Sequence, residues 1–85
     1  MSMTKFSLVI LTVLNDNSAK TPSSALSVSQ IIELMGEKQR KSYSTTFRHL
    51  LNMAELGYVK RGLDDGLALT YFISESGELF CKANY

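Results

Sequence analysis

The side chains able to make or break bonds in this 85-residue chain are few, and their spacing excludes more than it offers. One histidine, His49, and one cysteine, Cys81, are present, and no local motif joins either to a nucleophile or base. A metal site needs several His, Cys or carboxylate ligands, which this pair does not supply, so neither metal nor cofactor is expected. Asp64 and Asp65 are adjacent carboxylates, but they lie within Gly62-Leu63-Asp64-Asp65-Gly66, where turn chemistry accounts for them. No glycine-rich phosphate loop occurs. Cys81 reads as a packed thiol, because no flanking basic cluster would activate it. Being single it cannot form an internal disulfide, in keeping with a reducing cytoplasm. An enzyme is not expected.

What the sequence offers instead is a concentrated positive field. The net charge is only +1. Between Lys38 and Arg61, however, six basic residues (Lys38, Arg40, Lys41, Arg48, Lys60 and Arg61) stand against one acid, Glu55. The rest of the chain carries three basic and seven acidic residues. A domain with one face towards DNA distributes its charge this way, although a solvated basic stretch is the simpler alternative.

The elements that must position these groups follow from periodicity. A first helix is expected over about 4–14, with Phe6, Val9, Ile10, Val13 and Leu14 at helical spacing. This apolar run is too short to cross a membrane, and its interruption by Ser7 and Thr12 favours a core helix over a leader peptide. A polar loop around Thr21-Pro22 follows, then a short extended piece at Ala25-Leu26-Ser27. Ser27 or Ser29 is positioned to cap a second helix bearing Val28, Ile31, Ile32 and Met35, with Gly36 as its expected C-cap. A basic connector leads to a third helix over about 43–56, whose predicted core stripe is Tyr43, Phe47, Leu50, Leu51 and Ala54. Its opposite side carries Ser44, Thr45, Arg48 and Asn52. Gly57 ends it. The period then becomes extended, with strands at Tyr58–Arg61 and Leu67–Ile73 and the Asp-Gly turn between them. Ser74 caps a last helix over about 75–82.

The expected fold class is therefore α+β, mostly α, in one domain over 1–85: helix, short strand, helix, helix, hairpin, helix. Two stretches sharpen this order. The run Arg48-His49-Leu50-Leu51-Asn52-Met53-Ala54-Glu55-Leu56-Gly57-Tyr58-Val59 resembles the recognition-helix end of bacterial ArsR- and MarR-type regulators. Tyr71-Phe72-Ile73-Ser74-Glu75-Ser76-Gly77-Glu78-Leu79-Phe80 is similar to the same families' passage from wing to following helix. With Val28-Ser29-Gln30-Ile31-Ile32, the resemblance covers roughly residues 25–82. It implies a winged helix-turn-helix: helix-turn-helix about 28–56, wing about 58–73. Leu51 departs from the pattern, standing where those families often carry a polar residue.

The resemblance implies a prokaryotic or viral transcription regulator, a repressor, bound to double-stranded DNA with the third helix in the major groove. Arg48 would read guanine through two parallel hydrogen bonds, and Asn52 adenine. Ser42, Ser44 and Thr45 suit phosphate oxygens near the helix start, with His49 beside them. Lys38, Arg40 and Lys41, together with Lys60 and Arg61 at the base of the wing, would contact the backbone. The acidic wing tip opposes this reading, since phosphates repel Asp64 and Asp65. Leu8 and Leu11 fall off the first helix's main stripe, and Phe80 and Tyr85 add an apolar surplus at the other end, so these four are the expected homodimer contacts. The alternative is a winged-helix protein-interaction module without DNA.

Overall fold

A computed structural model describes residues 3–84. Its first helix, α1 (Lys5–Asp16), is capped by Thr4, whose hydroxyl accepts the Ser7 amide at 3.2 Å. Phe6, Ile10, Leu11, Val13 and Leu14 are all buried. Leu11 is 0% exposed, so the expectation that it faces a partner is overturned. On a helix packed against α2, α3, α4 and the sheet, the apolar stripe is wider than one face, and Leu11 falls inside it. Leu8 is half-buried against the same core. The helix closes with a reversed turn in which the Ala19 amide reaches Leu14 O at 2.9 Å and Ser18 reaches Asn15 O at 3.2 Å. Ser18 takes φ 55 there, a place that glycine usually occupies.

After a 3-10 turn at Pro22–Ser24, β1 (Leu26–Ser27) runs straight into α2 (Val28–Leu34). Ser27 and Gln30 form a reciprocal cap: the Ser27 hydroxyl accepts the Gln30 amide at 3.2 Å, and Gln30 Oε1 accepts the Ser27 amide at 2.9 Å. The C-terminus departs from expectation. Met35 and Gly36 are both extended, and Gly36, at φ −62, opens a second 3-10 turn, Glu37–Gln39, rather than closing the helix.

The third helix, α3 (Tyr43–Glu55), starts at Ser42 and ends at Gly57 (φ 84), with the Tyr58 amide on Met53 O at 2.9 Å. Its buried stripe is Thr46, Leu50 and Met53, rotated from the predicted one. Thr46 can be buried because its hydroxyl donates to Ser42 O at 2.9 Å, one turn back. Phe47 and Ala54 flank the stripe, while Tyr43 (51% exposed) and Leu51 (47%) lie outside it.

The sheet has order β1-β3-β2, antiparallel throughout, with β2 (Val59–Arg61) and β3 (Thr70–Ile73) forming the wing's stem. The strand expected from Leu67 begins later; its first residues are instead part of the tip, where Asp65 bridges Ala68 around Gly66-Leu67. Two bonds anchor the wing's base: the Leu63 amide to Pro22 O at 3.0 Å and the Thr70 hydroxyl to Leu63 O at 2.6 Å. The chain ends in α4 (Glu75–Asn84). Ser74 accepts the Gly77 amide at 3.1 Å and donates to Gly57 O, tying the start of α4 to the end of α3. A Cβ on Gly77 would run into the Tyr58 carbonyl and the Ile73 side chain, so α4 can sit this close only with glycine there. This is a winged helix: three helices, a hairpin wing, and a fourth helix packed on α1.

Candidate nucleic-acid interface

The surface of α3 is set by the phase of its buried stripe. Opposite Thr46, Leu50 and Met53 lie Ser44, Arg48, Leu51 and Glu55, all exposed and spaced four, three and four along the helix. Among the described residues no carboxylate pairs with Arg48, so its guanidinium is available to an incoming acceptor. Ser44 is exposed one turn before it. Ser42 and Thr45 are mutually occupied: the Ser42 hydroxyl accepts the Thr45 amide at 3.2 Å and donates to Thr45 Oγ1 at 3.1 Å.

His49 and Asn52 turn away from that face. His49 Nδ1 lies 3.1 Å from the Ser7 hydroxyl, and its ring meets Phe6 edge-on at 5.0 Å, so it joins α3 to α1. Burial, and then the charges of Arg48 and Lys41, lower its pKa below the ordinary 6.5. Its ring also lines a depression shared with Lys5, Lys38 and Lys41, where a neutral imidazole offers one N–H rather than a charge. Asn52 is half-buried, and its amide nitrogen is buried without an acceptor. An adenine reader would have to present that group outward.

The basic connector divides into two roles. Arg40 points back to α2: Nε donates to Ile32 O at 3.0 Å and Met35 O at 3.2 Å, and an Nη donates to Glu33 O at 2.8 Å. It therefore satisfies the carbonyls that Gly36 was expected to cap, a structural role that the expected contact to the DNA backbone did not include. Lys38 and Lys41 remain exposed and line a depression of about 560 Å³ between α1 and the start of α3. The Lys41 ammonium lies 5.4 Å from the Phe6 ring centre. Lys5 and Thr4, from the start of α1, close the same depression, with Val9 and Gln39. Lys5 is the residue of this depression that the sequence does not reveal. Nothing in its local surroundings links it to Lys38 and Lys41; only the packing of α1 on α3 does.

Lys60 and Arg61 stand on β2 and do not line this depression. Lys60 is exposed and without an ion pair among the described residues. Arg61 is engaged by Asp64 at 2.7 Å, and its guanidinium lies 5.9 Å from the Tyr71 ring centre. The wing thus neutralises part of its own charge. Of the expected dimer contacts, Phe80 is half-buried against Tyr58, ring centres 5.0 Å apart, and Tyr85 lies outside the described residues. Cys81 is buried, and that burial pushes its thiol pKa up. Among the described residues no group of His, Cys, Asp or Glu is arranged to hold a metal ion, and no helix is long and apolar enough to cross a membrane.

No protein-family model and no curated protein matches the chain. Among solved structures it is similar to the DNA-binding TubR fragment from Clostridium botulinum, known in solution. The two share 26% identity over 100% of each chain, with a TM-score of 0.74. The likeness therefore spans every element from α1 to α4, while nothing in these comparisons singles out the ArsR or MarR type.

Proposed function

We propose that this chain is a cytoplasmic transcription regulator that binds double-stranded DNA sequence-specifically with α3 in the major groove, and represses by occupying its operator. The observation that carries the reading is the end-to-end likeness to a DNA-binding fragment, in a chain whose α3 presents on its outward face Ser44 and an Arg48 that has no ion pair among the described residues. Arg48 donates two parallel hydrogen bonds to guanine. Ser44, near the start of α3, suits a phosphate oxygen. Lys5, Lys38, Lys41 and Lys60 supply the salt-sensitive backbone attraction that positions the domain without selecting sequence.

Two copies reading a palindromic site, with half-sites about one DNA turn apart, would follow from pairing through α1 and α4. With Leu11 in the core, the large apolar side chains left for such pairing among the described residues are half-buried Leu8, Val9 and Phe80 and the exposed Leu79.

The test is an anisotropy titration against random and genomic duplexes at several salt concentrations. Arg48→Ala should relax the sequence preference of the parent. Lys38→Ala with Lys41→Ala should weaken all duplexes alike and flatten the salt dependence by roughly 1.8 in log–log slope, about 0.9 for each phosphate no longer neutralised. A parent that binds no duplex at low salt sinks the proposal.

One observation favours a second reading, a protein-interaction module. The wing tip presents exposed Leu63 and Leu67 beside Asp64 and Asp65, a surface that suits a protein better than a phosphate backbone. An apolar interface of that kind would hold its affinity as salt rises.

A further inference from the structure

The outward face of α3 carries one large apolar side chain, Leu51, next to the charged reader Arg48. At 47% exposure Leu51 is outside the core and outside the partly buried residues packed on it. Its neighbours on that face are Ser44, Arg48 and Glu55, and half-buried Phe47 stands one turn before it. A scattered exposed leucine means little by itself. This one stands where the helix would meet base edges, and that restricts what it can touch. Among the groups that base pairs display in the major groove, the thymine C5 methyl is the apolar one.

A second observation points the same way. Asn52, the polar residue suited to adenine, has its amide nitrogen buried and without an acceptor. With that nitrogen turned inward, Asn52 is not placed for the bidentate contact to adenine N6 and N7, and an apolar contact with thymine offers this face another way to read an A·T pair. Arg48 and Leu51 are three residues apart, about 4.5 Å along the helix axis, against about 3.4 Å between stacked bases.

Resting on the DNA reading above, we infer that Leu51 is a specificity-determining residue that packs on a thymine methyl within about two base pairs of the guanine read by Arg48. The departure from a polar residue at this position then has a chemical purpose. It adds a preference for thymine without adding charge.

The experiment is methyl deletion on the DNA. A preferred duplex is selected from a random pool with the parent protein, and each thymine in it is replaced singly by deoxyuridine, which removes the methyl and nothing else. At one thymine near the selected guanine the parent should lose about fourfold in affinity, the effect of uncovering one methyl-sized apolar group. Leu51→Ala should lose a similar factor on the thymine duplex and become indifferent to deoxyuridine at that position. Because Leu51 is exposed, this variant should keep the parent's circular dichroism and melting temperature. If the parent selects a sequence yet is indifferent to every methyl deletion, the role of Leu51 is overturned while DNA binding stands. A methyl effect that persists in Leu51→Ala assigns the thymine to another residue and also overturns it. Failure of the parent to select any sequence overturns sequence-specific binding, and the role of Leu51 with it.

Discussion

Arg40 belongs by sequence to the basic run before α3, yet its guanidinium is held by three carbonyls at the end of α2, from Ile32, Glu33 and Met35, at 2.8–3.2 Å. Replacing it with alanine should therefore reduce fold stability and leave the salt dependence of DNA binding nearly unchanged. Hydrogen bonds of this kind contribute about 0.5–1.5 kcal/mol net each, at the low end where water competes. A cation at a helix C-terminus adds about 0.3–1 kcal/mol. Two of the bonds share one Nε hydrogen, so the total for Arg40→Ala is roughly 1–2 kcal/mol. For a domain of this size each kcal/mol moves the melting temperature by about 4–8 °C, so a fall of roughly 5–15 °C is expected by circular dichroism. Arg40→Lys keeps the charge but loses the planar fork, and should melt nearly as low as the alanine variant. Lys38→Ala is the control, with the parent's melting temperature and a salt slope smaller by about 0.9. An Arg40→Ala variant that melts with the parent, while its salt slope drops like that of Lys38→Ala, would refute this structural role.

Three further outcomes follow from the geometry. Ser18→Gly relieves a left-handed residue (φ 55) at the end of α1 and should raise stability by about 0.5–1 kcal/mol, read from the urea midpoint. Gly77→Ala places a methyl against the Tyr58 carbonyl and the Ile73 side chain; the overpacking should cost about 3 kcal/mol or more and displace α4, seen as a large drop in melting temperature. The folded-state pKa of His49 is depressed below 6.5, so as pH falls below 6.5 the unfolded chain takes up a proton that the folded chain does not. The contribution of His49 to stability is thus present above that pH and lost below it. His49→Gln should narrow the stability difference between pH 7.5 and 5.5, and an unchanged difference would contradict the packed, neutral imidazole.

Much of this fold is legible in the sequence because its local signals are physical necessities. Gly57 ends α3 because that reversed turn needs a positive φ, and the Ser74–Gly77 spacing marks a hydroxyl cap followed by a helix that must approach the Tyr58 carbonyl closely. The features that escape are those in which two elements compete for one residue. Gly36 reads as the cap of α2, but a guanidinium arriving from Arg40 takes the same carbonyls. Leu11 reads as surplus on a helix with one buried face, but α1 is covered on several sides. The α3 stripe comes out of phase because apolarity alone cannot show that Thr46, polar but internally bonded, goes inside while Leu51 stays out. That rotation bears directly on the site: it places Arg48 and Leu51 on the outward face and turns His49 and Asn52 inward.

On the proposed DNA reading, the wing bears on how strongly a single copy would bind. Asp64 holds Arg61 at 2.7 Å, so of the two cations at the wing's base only Lys60 remains unpaired among the described residues. An exposed ion pair of this kind contributes little to folding. Its larger effect would be on the proposed DNA contact, because a phosphate would have to displace a carboxylate that is already in place. In the proposed complex Lys5, Lys38, Lys41, Lys60 and Arg48 would supply the attraction of one domain, and removing one phosphate partner from so small a set would take away a large fraction of the salt-dependent affinity. A second copy on an adjoining half-site would restore it, since linking two weak modules multiplies affinity without any new contact to DNA. Affinity for two half-sites should accordingly exceed that for one by far more than twofold, and Asp64→Asn, which releases Arg61, should narrow that ratio by strengthening the single half-site. Equal affinity for one half-site and two would separate DNA binding from pairing, and leave Leu8, Leu79 and Phe80 without a role in the complex.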